Sequence, residues 1–281
     1  MAATGLIGIK RRIKSVTNTQ KITRAMGLVA TAKLRKCRER LDENSKYHAY
    51  FEEIKDNVVA SMQNKSIYID DSKNGKNVYL TITSNLGLCG GYNINVVSET
   101  INQIQDKNNS IVLVVGKKGK SYFNKFKINV DKEFLSVSEL PDLQDVKDIS
   151  NELLQMFQKE DIASVNVVYT KFISTIKQKV EVERLYPMKL SKEVKYNNFE
   201  FEISTDELLE QMVQTYTNEK ILYFLLNSKV AEQASRMTAM DGATKNAGDL
   251  LDKLNTQYNR IRQSAITEEI SEIIGGAEAQ K

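Results

Sequence analysis

Residues 247–274, AGDLLDKLNTQYNRIRQSAITEEISEII, decide the fold class of this 281-residue chain. Apolar side chains recur along them at alternating steps of four and three residues, first at Ala247, Leu251, Leu254, Tyr258, Ile261 and Ala265 and then, on a shifted seam, at Ile266, Ile270 and Ile273. An apolar 3,4 repeat sustained over several heptads is the pattern of a coiled coil. We therefore predict a helix that pairs with a second helix along this seam.

This helix is predicted to continue far beyond the repeat, because the chain is nearly free of proline. An average usage of about 5% would give roughly 14 prolines, yet only Pro141 and Pro187 occur. A single helix over 205–275 would be about 105 Å long at 1.5 Å per residue. No compact globule of this size is that long, so we expect the helix to project and to pair with an N-terminal helix.

The N-terminal helix is predicted from about Thr4 to Met62, with Ile9, Ile13 and Val16 at helical spacing. The apolar stripe is predicted to continue through Ala25, Met26, Val29 and Ala32. The polar run TNTQ at 17–20 interrupts it. Two interpretations remain open for this run, a solvent-facing turn of a long helix or a polar layer inside a helix pair that fixes the register.

Two glycines in the C-terminal helix, Gly242 and Gly248, raise a similar question. Small residues over 231–248 would let another helix approach closely. A glycine inside a helix costs about 1 kcal/mol relative to alanine, so these positions indicate either a steric need or tolerated bending.

The middle of the chain has a different pattern. After a polar linker at 64–76, β-forming runs at 78–83 and 111–115 flank a helical segment at 94–105, an order that indicates a βαβ unit with a parallel strand pair. Further elements are predicted as a helix at 117–125, a strand near 128–134, a helix at 146–158, and strands at 164–172 and 176–186 that suit a hairpin. The fold class is therefore α+β with an α/β part: a long antiparallel two-helix coiled coil plus a central Rossmann-like domain. Three segments follow, namely 1–63, 77–190 and 205–281, of which the last pairs with the first.

Composition excludes several classes of protein. No run reaches the roughly 18 apolar residues of a membrane-spanning helix, and no signal-peptide core follows the basic N-terminus. Cys37 and Cys89 are too few for a disulfide framework and suit a reducing compartment. A single histidine, His48, argues against a zinc site or a Cys–His nucleophile pair.

Candidate chemistry is weak throughout the chain. The run GKKGKS at 116–121 follows a strand, but only two residues lie between its glycines where a P-loop requires four. LGLCGG at 86–91 would suit an anion at a helix N-terminus or an activated Cys89 thiol, yet no partner base is evident. The neighbouring Glu268 and Glu269 point to different faces of a helix and form no acid–base pair. We predict no catalytic, cofactor-binding or metal-binding residues and no cofactor.

The first 40 residues are strongly basic, with eleven Lys/Arg, one acid and a net charge of +10. Such a block indicates an anionic partner or a solvated face. Nucleic acid is disfavoured, because no aromatic residue precedes Tyr47 and base stacking is therefore not offered.

Three segments closely resemble the gamma subunit of F-type ATP synthases of bacterial type. They are IKRRIKSVTNTQKITRAMGLVATAKLRK at 9–36, SNLGLCGGYN at 84–93, and the run from Glu232 to Ala277 that contains EQASRMTAMDGATKNAGDL and YNRIRQSAITEEISEII. Their order and spacing match the family over essentially the whole chain.

The resemblance implies a rotary central-stalk subunit without bond chemistry of its own. Its antiparallel coiled coil would penetrate a ring of three α and three β subunits, and its foot would join the epsilon subunit and the membrane c-subunit ring. It would transmit torque between the ion-driven ring and the catalytic sites. The expected location is the cytoplasmic face of the bacterial cell membrane, as a peripheral protein without direct membrane insertion and without nucleic acid.

The resemblance also assigns contacts to individual residues. Arg24 and Met26 match the segment that faces the β subunits, while Arg262 and Gln263 match positions that bond a β-subunit loop. The remaining implied contacts lie at Thr267 and Glu269 in the same zone, at Ile270 and Ile273 in an apolar tip within a sleeve, and at Arg35 on the basic helix that would pass acidic loops. The chain departs from the family at Gly27, where a charged residue is common, and at Asn85-Leu86, which replace Asp-Arg.

Two rival functions follow from the residues alone. The first is a basic helical nucleic-acid-binding protein, whose affinity would fall steeply with salt. The second is a small-molecule enzyme within 77–190, against which the missing acid–base and metal sets argue.

Overall fold

The computed structural model describes residues 2–62, 66–69, 74–104, 106–159, 161–189 and 204–278. Its helices are α1 (Ala2–Ser61), α2 (Tyr92–Gln103), α3 (Lys117–Lys125), α4 (Leu143–Phe157) and α5 (Thr205–Glu278), and its strands are β1 (Lys76–Ile82), β2 (Ser110–Val115), β3 (Lys132–Phe134), β4 (Ile162–Phe172) and β5 (Gln178–Tyr186). The chain divides into two compact units, Met1–Val29 with Met237–Lys281, and Ala30–Arg236.

The sheet of the larger unit has the strand order β3-β2-β1-β4-β5. Strand β1 pairs in parallel with β2 and with β4, β2 pairs in parallel with β3, and β4 pairs in antiparallel fashion with β5. The predicted parallel βαβ pair and the predicted hairpin are therefore both confirmed. Parallel strands are covered on both faces, which explains why β2 is a continuous apolar run.

Helices cover both faces of this sheet. On one face α2 and α3 bury a cluster that includes Val97, Val112 and Phe123. On the other face α4 and the first turns of α5 enclose the larger core, in which Leu80 and Phe224 are fully buried. The middle of the chain is thus a three-layer α/β domain, as the alternation of strands and helices predicted.

Two local devices position the helices of this domain. Gly116 has φ +91°, and a Cβ there would collide with the carbonyl of Thr83, so glycine alone suits this turn. Helix α4 begins at Leu143 because Asp142 forms a capping box with Asp145. That cap explains why the helix starts three residues before the predicted Val146.

In the smaller unit, α1 and α5 form an antiparallel pair. Gly27 lies nearest Met240, Thr23 is bonded to Thr244, and Gln20 lies against Gly248, so the numbers fall on one helix as they rise on the other. The predicted seam is confirmed over its first six positions, which are all buried or half-buried, namely Ala247, Leu251, Leu254, Tyr258, Ile261 and Ala265. Its predicted continuation on a shifted seam is wrong, because Ile266, Ile270 and Ile273 are exposed.

The predicted continuation of the N-terminal stripe is wrong at three of its four positions. Ala25, Val29 and Ala32 are exposed, and Met26 alone is half-buried. The inward positions are instead Thr23 and Gly27, followed at steps of three and four by the buried Ala30 and Leu34. The predicted stripe lies one or two positions away from this repeat, because the polar Thr23 and the small Gly27 were not taken as part of it.

The structure shows the surroundings of the polar run at 17–20 and of the two helix glycines, Gly242 and Gly248. Gln20 and Thr17 are half-buried while Asn18 and Thr19 are exposed, and Gln20 contacts α5, which favours the polar layer. A Cβ on Gly248 would lie 3.2 Å from Gln20 Nε2, a tight contact that the end of the Gln20 side chain would have to relieve by a small shift. Nothing lies within 4 Å of the corresponding position at Gly242, so glycine is merely tolerated there.

Candidate subunit-contact surfaces

The C-terminal end of α5 carries an exposed apolar surface. Ile266, Ile270 and Ile273 are 47%, 52% and 71% exposed, and steps of four and three place them on one helix face. Every residue from 266 to 277 is exposed. Monomeric proteins rarely leave such apolar stretches open, and larger ones mark interaction sites.

Polar residues of the predicted site border this surface. Arg262, Gln263, Thr267 and Glu269 are all exposed. The Thr267 hydroxyl donates to the backbone carbonyl of Gln263 at 3.0 Å, so this hydrogen bond does not involve the Gln263 side-chain amide. Within the described residues, neither Arg262 nor Glu269 has an ion-pair partner. The predicted α5 residues therefore share one helix end and present charge beside an apolar face.

The predicted residues of α1 differ among themselves. Arg24 is exposed and has no ion-pair partner in the described part of the chain, whereas Met26 is half-buried. Arg35 lies in the larger unit, is 84% exposed and pairs with Glu39 at 3.0 Å. The structure thus presents the two arginines to solvent, and Met26 only in part.

A fixed loop precedes α2, and its main anchor was missed from the sequence. Arg236 is 6% exposed, and its guanidinium donates to the carbonyls of Leu86 at 3.1 Å and Gly87 at 3.3 Å, and to Glu232 Oε1 at 2.8 Å. The loop holds Leu88 at φ +63° with its side chain 59% exposed. Only the spacing of Glu232 and Arg236 as an i, i+4 pair could have signalled this role.

The structure contradicts the activated-thiol interpretation of Cys89. This side chain is 2% exposed, and its sulfur accepts a hydrogen bond from Asn93 Nδ2 at 3.2 Å. Burial raises the pKa of the Cys89 thiol, although Ser84 and Arg236 oppose the shift. Burial likewise raises the pKa of Cys37 to about 11. Both thiols are therefore protonated at neutral pH, and the thiolate is the nucleophilic form.

Membrane-spanning helices and metal-ligand groups were the two remaining kinds of functional feature considered for the described residues. None of their helices combines the length and the apolar character needed to cross a bilayer. No group of three or more His, Cys, Asp or Glu side chains in those ranges is arranged to hold a metal ion.

Comparison with known proteins gives the family. A sequence model of the family described as ATP synthase matches residues 5–280. The chain is 49% identical to the ATP synthase gamma chain of Clostridium kluyveri and 48% identical to that of Clostridium novyi, in each case over the full length of both chains. The chain belongs to the ATP synthase gamma chain family.

Solved structures support the fold of this family for the whole chain. A rotor structure of the Euglena gracilis mitochondrial ATP synthase aligns with a TM-score of 0.71 and 16% identity, covering 94% of this chain and 99% of the other. A second Euglena structure, of OSCP, F1 and the c-ring, aligns with a TM-score of 0.73 and 18% identity over 99% of this chain and 95% of the other. The long terminal helices and the central Rossmann-like sheet are thus the gamma-chain fold.

Proposed function

We propose that this chain is the rotary central-stalk subunit of an F-type ATP synthase. It transmits torque between an ion-driven rotor ring in the membrane and a catalytic ring of three α and three β subunits, and so couples proton or sodium translocation to ATP synthesis or hydrolysis. The observation that carries the proposal is the 49% identity to a named gamma chain over the full length of both chains. The epsilon subunit and the c-subunit ring are the partners at its foot.

The chain contributes no catalytic residues to this complex. Support comes from the two cysteines, which are buried with raised thiol pKa values. The location is the cytoplasmic face of the bacterial cell membrane, where the subunit is peripheral.

The composition of the purified complex tests this proposal. A complex isolated through a tag on this chain, and weighed by native mass spectrometry, is expected to contain one copy of the chain with three α and three β subunits. Recovery of the chain alone on RNA, with salt-sensitive affinity, would overturn the proposal in favour of the nucleic-acid rival.

Arg24 and Arg35 carry the basic contact with acidic loops of the catalytic ring. Both are exposed, and exposed cations can hold an orientation and still exchange partners, because surface ion pairs contribute only about 0–1 kcal/mol each. Charge reversal at Arg24, Arg35 and Arg38 is expected to lower torque and coupling progressively, measured by single-molecule rotation and by ATP synthesis in vesicles. Lys107→Glu is the control, because this lysine is exposed and follows α2. Unchanged torque in the arginine series would contradict the proposed contact.

The apolar end of α5 acts as a bearing. Ile270 and Ile273 offer no directional bonds that rotation must break, while Arg262, Gln263, Thr267 and Glu269 contact the surrounding loops. Ile270→Asp with Ile273→Asp is expected to leave unfolding of the isolated chain within about 0.5 kcal/mol of wild type, since exposed positions contribute little. The same variant should reduce retention of the chain in the complex. Met26 is half-buried, and we propose that it supports the position of Arg24 and contributes less than Arg24 to the subunit contact.

A further inference from the structure

One cluster in the larger unit joins α1 to α5 through ionisable side chains. Asn44 and His48 on α1 face Glu219 and Tyr223 on α5, and each pair is four residues apart, so the four side chains meet along one face of each helix. The His48 ring stacks on Tyr223 and the Asn44 amide donates to Glu219, so both helices contribute contacts to the cluster.

His48 has an unmet hydrogen-bonding atom in this cluster. Its ring stacks on Tyr223 with centroids 3.9 Å apart and planes 10° apart, and its side chain is only 13% exposed. The atom Nδ1 is buried without a hydrogen-bond partner among the described residues. Glu219 Oε1 lies 3.9 Å from Nδ1, and Glu52 Oε1 lies 3.9 Å from Nε2. Neither oxygen is within hydrogen-bond distance of the ring, so a hydrogen bond to Nδ1 requires the Glu219 carboxyl to move closer. An unsatisfied buried acceptor is costly, so a donor at Nδ1 would stabilise the cluster.

Glu219 is the group that can supply this donor. It is 4% exposed, and its carboxylate accepts a hydrogen bond from Asn44 Nδ2 at 2.8 Å. Burial raises the pKa of Glu219 to about 7, although Asn44 and Lys220 oppose the shift. Glu219 therefore exchanges a proton close to neutral pH.

His48 stays neutral in the same range. Burial, followed by the positive charge of Lys220, lowers the pKa of His48 to about 4, and Glu52 only partly opposes this. The other charges facing the cluster are Glu183 on β5 and Lys171 on β4. A neutral imidazole has one nitrogen that accepts a hydrogen bond, and here that nitrogen is assigned to Nδ1.

We propose that Asn44, His48, Glu219 and Tyr223 form a proton-operated latch between α1 and α5, in which the protonated Glu219 carboxyl donates a hydrogen bond to His48 Nδ1. One proton enters from solvent per latch, and its loss leaves a carboxylate beside an unsatisfied nitrogen. Acidification of the surrounding medium therefore tightens the contact between the two helices, and alkalinisation loosens it. The latch does not depend on the proposed rotary function.

The single histidine of the chain makes the test specific, because a histidine-selective ¹⁵N label reports only His48. In the full-length wild-type chain, the Nδ1 resonance is expected to move toward its hydrogen-bonded position as the pH falls from 8 to 6, with a midpoint near 7. The ring should remain neutral down to about pH 5.5. Titration of the ring itself with a midpoint near 6.5, or an unmoved Nδ1 resonance, would overturn the latch.

Two variants separate the latch from a general effect of pH. Glu219→Gln carries an amide donor at every pH, so Nδ1 should stay in its hydrogen-bonded position and the transition should vanish. Glu43→Gln removes an exposed carboxylate of α1 and should keep the wild-type midpoint. A transition that persists in Glu219→Gln contradicts the proposal, and the wild-type titration decides alone if that variant does not fold.

Discussion

At the scale of single residues, Arg236 joins α5 to the loop before α2 through buried hydrogen bonds. Its guanidinium satisfies two loop carbonyls and the buried Glu232, whose other ionic partner is Lys229 at 3.4 Å. Removal of one partner from a buried ion pair costs about 3–5 kcal/mol, because the remaining charge is left without compensation. We expect Arg236→Met to lower the free energy of unfolding by about 3 kcal/mol, measured by urea denaturation followed by circular dichroism.

Arg38→Met is the matched control for that substitution. Arg38 is 60% exposed and lies 3.8 Å from Asp42, and exposed pairs contribute about 0–1 kcal/mol. Equal losses of unfolding free energy in Arg236→Met and Arg38→Met would mean that the buried contacts of Arg236 stabilise the chain no more than an exposed ion pair does.

Replacement of Gly116 and of Gly242 by alanine is expected to change the stability of the chain in opposite directions. Gly116→Ala places a side chain at φ +91° against the Thr83 carbonyl, and a strained backbone of this kind costs about 1–3 kcal/mol. Gly242→Ala places a methyl group in open space within a helix, where alanine is favoured by about 1 kcal/mol. Thermal unfolding of the full chain should therefore show the first variant destabilised and the second stabilised. A stabilised Gly116→Ala would contradict the steric account of this turn.

At the scale of elements, the sequence predicts what repeats and misses what depends on a neighbour. The 3,4 repeat from Ala247 to Ala265 and the β-forming runs are local patterns, and they gave the right helices, strands and pairings. The inward positions Thr23 and Gly27 of α1 were missed, because one is polar and the other small, although the 4,3 repeat continues at Ala30 and Leu34. The Arg236 anchor was missed for a different reason, since its acceptors lie 149 and 150 residues away.

The hydrogen bond between Thr23 and Thr244 tests whether the polar layer fixes the register of the helix pair. The Thr244 hydroxyl lies 2.8 Å both from Thr23 Oγ1 and from the Met240 carbonyl oxygen, and these two acceptors share its single proton. A net hydrogen bond contributes about 1 kcal/mol, whereas replacing both partners by apolar groups of the same shape can be nearly neutral. We expect Thr23→Val and Thr244→Val each to destabilise the chain and the double variant to cost less than their sum.

The coupling from this double-mutant cycle should be about 1 kcal/mol, measured by thermal unfolding of the four chains. Thr256→Val is the control, because its hydroxyl bonds only the Asp252 carbonyl within its own helix. Additive losses would show that the two hydroxyls do not interact across the pair.

At the scale of the whole molecule, buried ionisable groups make stability depend on pH near neutrality. Glu219 has a folded pKa of about 7 against an ordinary value of 4.5, so unfolding releases a proton between these limits and rising pH favours unfolding. His48 has a folded pKa of about 4 against 6.5, so unfolding takes up a proton between those limits and falling pH favours unfolding. The two effects nearly cancel between pH 4.5 and 6.5, and above pH 6.5 the effect of Glu219 is the larger, because His48 of the unfolded chain loses its proton around pH 6.5.

We therefore expect the free energy of unfolding to fall by about 0.4 kcal/mol as the pH rises from 6.5 to 8, because His48 offsets about half of the roughly 0.8 kcal/mol that is lost through Glu219. Glu52, whose pKa is lowered because Lys220 and Lys55 outweigh the opposing effect of burial, titrates below this window. Lys220, whose pKa Glu52 and Glu183 raise against the effect of burial, titrates above it. Urea denaturation at half-unit steps of pH should give a stability that falls with pH for wild type and for Glu43→Gln, and one that rises slightly for Glu219→Gln, in which the effect of His48 remains. Parallel slopes in all three chains would assign the pH dependence to groups other than Glu219.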